Sequence, residues 1–258
     1  MLTGSNLKTI FGISLSVLCG FGIYFLQKPN LKNSQQQTTA EYSRQEQIAQ
    51  TRLQVLKDIP NFGFSNLIAD WTYLNFIQYY GDREARQETG YSLAPQYFEI
   101  IVNRDPRFVN AHLLLSTATS VYAGYPKQSV QYLETALNYI SPEINKDANF
   151  IWSTKAVDEL LFLGNVEAAQ QSFEMAAKWG VARGDEFGKI VAQRHQETAE
   201  FLASNPDSKK AQVNAWASIL SNVQDDETRR EAIQEIKDLG GNVVQTNQGY
   251  RVVPPEED

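Results

Sequence analysis

Along most of the chain, apolar residues return every three or four positions, and Gly, Pro, Asn or Asp marks the gaps between these stretches. That period is the signature of amphipathic helices, and the gap residues are the usual helix breakers. It predicts helices near 41–58, 65–80, 92–104, 107–123, 126–140, 149–163, 166–179, 185–204, 209–222 and 226–239. Two stretches depart from the period. From Ile10 to Leu26 the text runs 17 residues without a charge, IFGISLSVLCGFGIYFL, flanked by Lys8, Lys28 and Lys32. As a helix this would reach about 26 Å, enough for the core of a bilayer. After Gly240-Gly241, Val243-Val244 and Tyr250 to Val253 flank Asn247-Gln248-Gly249, which reads as two short strands around a turn.

The organisation expected from this pattern is an N-terminal tail (1–9), a transmembrane anchor (10–26), a polar tether (27–40), a capping helix (41–66), a repeat region (67–181), further helices (182–241) and a hairpin with a tail (242–258). The expected location is a single-pass membrane protein, with the side of the soluble domain unassigned. The residues behind the apolar run, Gln27-Lys28-Pro29-Asn30, do not suit signal cleavage, so retention is expected. Gly12, Ser16 and Gly20 recur every four residues and would give that helix a small-residue face for packing on another membrane helix.

The repeat is clearest when 164–180, GNVEAAQQSFEMAAKWG, is laid on 124–142, GYPKQSVQYLETALNYISP. Gly164, Ala169, Phe173 and Ala176 fall in register with Gly124, Ser129, Leu133 and Ala136. Ala94, Phe98, Ile101 and Pro106 keep the same spacing in a third copy, while Arg83 to Gly90 and Pro142 to Ala148 are insertions. This spacing of turn glycine, small, bulky and small residues resembles the second helix of a tetratricopeptide repeat. The resemblance covers 67–181 and lies in spacing more than in residue identity. It implies an all-α fold in which the transmembrane helix leads into a tetratricopeptide-like right-handed helical solenoid, closed by the small C-terminal β-hairpin. It also implies that the first helix of each repeat lines a concave, protein-binding face. Here those positions are Ile68, Trp71, Asn75, Gln78 and Tyr79, then Ala111, Leu114, Ala118, Val121 and Tyr122, then Ile151, Thr154, Asp158 and Phe162.

Charge and chemistry narrow the functions further. All 30 acidic residues lie beyond residue 40, leaving that part at about −10 and unsuited to a phosphate backbone, so nucleic acid is not an expected partner. Cys19 is the only cysteine, and the two histidines, His112 and His195, have no ligand-spaced neighbours, so neither a metal nor a cofactor is expected. No nucleophile elbow, phosphate loop or metalloprotease motif occurs. Asp158-Glu159 and Asp225-Asp226-Glu227 read as helix-surface and helix-start charges. The expected function is a membrane-tethered scaffold that binds protein partners and takes part in assembling a membrane or envelope complex. The alternatives are an all-helical glycan-cleaving enzyme, which needs a Glu of raised proton affinity in a cleft, and a structural homo-oligomer formed through the membrane helix.

Overall fold

The computed structural model describes residues 14, 16–22, 24, 38–204, 206–246 and 249–255. The chain divides into two units, Met1–Gln45 and Glu46–Asp258. In the first, residues 16–22 are helical and exposed. The long helix α1 (Thr39–Asp58) begins there and continues into the second unit, which holds the core.

In the second unit, α2 (Ser65–Gly81) packs on α4 (Ala94–Arg104), with the short α3 (Arg83–Thr89) between them in sequence. Asp82 starts α3 by accepting the Ala85 amide at 3.2 Å, and Gly90 stops it at a left-handed φ of 69°. The eight residues read as an insertion therefore carry a helix of their own. Next come α5 (Val109–Ser116), a π-helical turn (Thr117–Tyr122), α6 (Pro126–Leu137), a 3-10 turn (Lys146–Ala148) and α7 (Asn149–Leu161). Antiparallel neighbours follow: α8 (Val166–Ala182) lies on α7, and α9 (Glu186–Leu202) lies on α8. Finally α10 (Lys209–Asn222) pairs with α11 (Asp226–Asp238). Asn165, Asp185 and Asp225 cap the helices that follow them, accepting the amides of Ala168, Gly188 and Thr228 at 3.0, 2.7 and 2.8 Å. Each cap satisfies an amide that the first helical turn leaves without a partner.

The repeated positions converge in the interior. Ala94, Phe98, Ile101, Ser129, Leu133, Ala136, Ala169, Phe173 and Ala176 are all buried. Gly124 and Gly164 both reverse the chain at left-handed φ, 80° and 62°. At Gly124 the fit is tight as well, because a Cβ there would stand 2.2 Å from Thr228 Cγ2. The strands β1 (Asn242–Thr246) and β2 (Gly249–Val253) pair antiparallel, with Val243 opposite Val252, and both valines pack on the Trp216–Ile236 cluster beneath α10 and α11.

The expected fold class, a transmembrane helix leading into a tetratricopeptide-like solenoid, is corrected. The described residues form a helical body with one small two-stranded sheet, and none of their helices is long and apolar enough to cross a membrane. A single-pass anchor has no support among them. Residues 10–13, 15, 23, 25 and 26 of the expected span, Gly12 included, lie outside the described residues. Ser16 and Gly20 are helical, and a Cβ added at Gly20 would meet nothing within 4 Å.

Candidate functional site

Helix α2 carries a single charge, Asp70, in SNLIADWTYLNFIQYYG. One face buries Ala69, Thr72, Phe76 and Tyr79, with the Phe76 ring edge-on to Phe98 at 4.7 Å and to Tyr97 at 5.7 Å. A helix with one wet side ordinarily turns polar residues outward. This one does not. Phe64, Leu67, Trp71 and Leu74 recur at intervals of three and four and form an apolar stripe opposite the core, 65%, 64%, 59% and 57% exposed.

Helix α1 runs beside this stripe. Leu53 anchors it in the core, and the Arg104 guanidinium closes its C-terminus by donating to the carbonyls of Leu56, Lys57 and Ile59 at 3.2, 2.8 and 2.8 Å. Farther back, buried Arg86 holds α1 through Glu46 at 3.2 Å while stacking on the Tyr79 ring at 3.7 Å. Between α1 and α2 lies a groove of 450 Å³, floored by Leu53 and Tyr97 and flanked by Val55, Leu56, Trp71 and Asn75. Arg52 is its one charged lining residue, and among the described residues it forms no ion pair. At the groove's end the turn Ile59 to Phe64 carries Phe62, 82% exposed at a φ of 45°. An aromatic residue held at left-handed φ is strained. The turn is fixed by Asn61, whose side chain donates to Ser65 Oγ and accepts the Gly63 amide.

Of the residues expected on a concave face, the structure gathers Trp71 and Asn75 at this groove, with exposed Gln78 one turn farther along the same stripe. Tyr79, Ala111, Ala118, Ile151, Asp158 and Phe162 are buried among the helices. Ile68, Leu114, Val121, Tyr122 and Thr154 are half-buried, and Tyr122 packs on Tyr91 and Tyr80 with centroids 4.8 and 5.5 Å away. The Asp158-Glu159 pair departs furthest from its expected place. Both acids are buried, not on the helix surface. Asp158 accepts hydroxyls from Ser116, Ser120 and Ser129 at 2.8, 2.8 and 2.7 Å, so one carboxylate ties together α5, the π-helical turn, α6 and α7. Burial drives its pKa up to about 6 against the pull of the three serines. Glu159 accepts from Lys155 and, at 2.6 Å, from Ser172 on α8. Only the serines at 116, 120 and 129 could have hinted at the first cage, and nothing in their sequence spacing joins them to residue 158.

A second cavity, of 150 Å³, is lined by Tyr125, Phe162, Trp216, Glu231 and Glu235. Burial first, and then the neighbouring Glu231 charge, raise the Glu235 pKa. The space is below the 300 Å³ or so of a usual small-molecule pocket, and both acids project from one helix, α11. Among the described residues no group of three His, Cys, Asp or Glu side chains could hold a metal ion. Compared with family models, with curated proteins and with solved structures, the chain matches none.

Proposed function

We propose that this protein is a non-enzymatic scaffold that binds a helix of a protein partner along the groove between α1 and α2. One observation carries the reading: the outer face of α2 is as apolar as its buried face, and it borders a preformed groove. Contiguous exposed apolar surface of this extent marks interaction sites on proteins that are otherwise polar outside. A groove between two helices, with stripes of three- and four-residue period on its lips, suits an amphipathic helix. Trp71 is the natural anchor, a large ring at the edge of a pocket with little entropy to lose. The helices packed behind it then serve as the rigid frame that holds this face in place.

The test is affinity purification of the full chain in mild detergent, beside Trp71→Glu and Leu74→Glu variants that keep the wild-type circular dichroism. A defined protein association, with another protein or with itself, that both variants lose supports the reading. Associations that survive both variants would refute it. A glycan-cleaving enzyme rests on the raised Glu235 pKa alone; hydrolysis of an oligosaccharide that Glu235→Gln abolishes would favour it over the scaffold.

A further inference from the structure

We propose that the occupant of this face is a second copy of the same chain, the two α2 helices pairing in parallel about a two-fold axis. This rests on the scaffold reading above and adds the identity of the partner. Phe64, Leu67, Trp71, Leu74 and Gln78 follow one another by three, four, three and four residues. That is the spacing of a coiled-coil seam, with Phe64, Trp71 and Gln78 in one set of core positions and Leu67 and Leu74 in the other. The residues buried against α4 lie on the opposite side of the helix, so the seam is free to meet a second helix without disturbing the core.

The exposed area is sufficient. Seven side chains of this region, with Phe62, Val55 and Ile77 added to the four of the stripe, are 41–82% exposed. At roughly 100 Å² each they offer on the order of 700 Å², close to the ~800 Å² per partner of a stable interface.

Charge chooses the direction. Asp70 flanks the seam on one side and Asn75 on the other, and Arg52 lines the groove with Asn75. Neither Asp70 nor Arg52 has an ion-pair partner among the described residues. In a parallel pair, the position just before one core residue faces the position five residues farther along the other helix. Asp70 of each copy thus comes beside Asn75 and Arg52 of the other, and the two-fold makes the contact twice. An antiparallel pair would set Asp70 against Ile77 and leave Arg52 unmatched. Gln78, polar at a core position, then meets its own copy and fixes the register.

The experiment is the mass of the full chain in mild detergent by sedimentation, across micromolar concentrations. The expected result is a dimer whose dissociation constant rises at least tenfold in Leu74→Glu, in Asp70→Arg and in Arg52→Asp, and recovers when the last two are combined. In a Cys19→Ser background, Leu67→Cys should oxidise to a covalent dimer, because like positions face each other only in the parallel pair. A monomeric wild type, or a dimer untouched by Leu74→Glu, overturns the proposal; a dimer that Leu67→Cys does not lock overturns its parallel geometry. If the wild type is monomeric and yet holds another protein through Trp71, self-pairing alone fails. If no association depends on Trp71, the scaffold reading fails with it. The charge pair sits on the surface, so its variants stay interpretable should Leu74→Glu fail to fold.

Discussion

Replacing Asp158 by Asn should flatten one branch of the protein's pH–stability profile. The carboxyl is fully buried and its pKa moves from 3.8 to about 6, so the fold favours the protonated acid. Between those two values the folded state holds a proton that the unfolded chain has released, and stability therefore falls as pH rises through the window. From pH 5 to pH 7.5 this amounts to about 1 kcal/mol, and over the full window to about 3 kcal/mol. His112 works the other way. Burial lowers its pKa to about 4, so the fold favours the neutral ring, and stability is lost as pH drops below 6.5. The wild-type profile alone thus hides both effects, and the quantity to measure is the difference between Asp158→Asn and wild type. Urea unfolding at pH 5 and 7.5 should find Asn more favourable, relative to Asp, by about 1 kcal/mol at the higher pH, or roughly 2–4 °C in Tm. A difference that does not vary with pH would mean that the three serines offset the burial penalty on the anion, and one of opposite sign that they outweigh it.

Other substitutions test the remaining contacts. Lys155→Met leaves Glu159 buried with Ser172 as its remaining hydrogen-bond donor, and should cost about 3–5 kcal/mol in chemical denaturation. Gly124→Ala combines a left-handed φ with a clash against Thr228, and should cost about 2 kcal/mol or more, part of it regained with Thr228→Ser. Trp71→Ala in the isolated chain should change stability by no more than about 0.5 kcal/mol, because the ring is mostly exposed, whereas Phe76→Ala on the inner face of the same helix should cost about 3–5 kcal/mol.

The helices and the repeat register could be read from the chain because both depend on local period. Small and bulky residues at fixed offsets from a turn glycine pack inward whatever the partner helix is. The break of α5 into a π-helical turn at Thr117 could not be read, since its apolar spacing continues through the residues where the hydrogen-bond pattern changes. Nor could the burial of Asp158, because its three hydroxyl partners come from segments 29–42 residues away. At the candidate site, Trp71, Asn75 and Gln78 stand at positions where the repeat resemblance implies a binding face, and Trp71 and Asn75 line the groove. The α1 side of the groove could not be read: Arg52, Val55 and Leu56 belong to what reads as a capping helix until α2 is seen beside them.

The most direct test of the central claim is hydroxyl-radical footprinting of Trp71 and Phe62 in the intact assembly, compared with the dissociated chain. Strong protection of these two rings in the assembly is the predicted result, with Phe187 and Phe201, 51% and 63% exposed elsewhere on the surface, labelled alike in both states. Equal labelling of Trp71 in the two states would contradict a binding role for the outer face of α2.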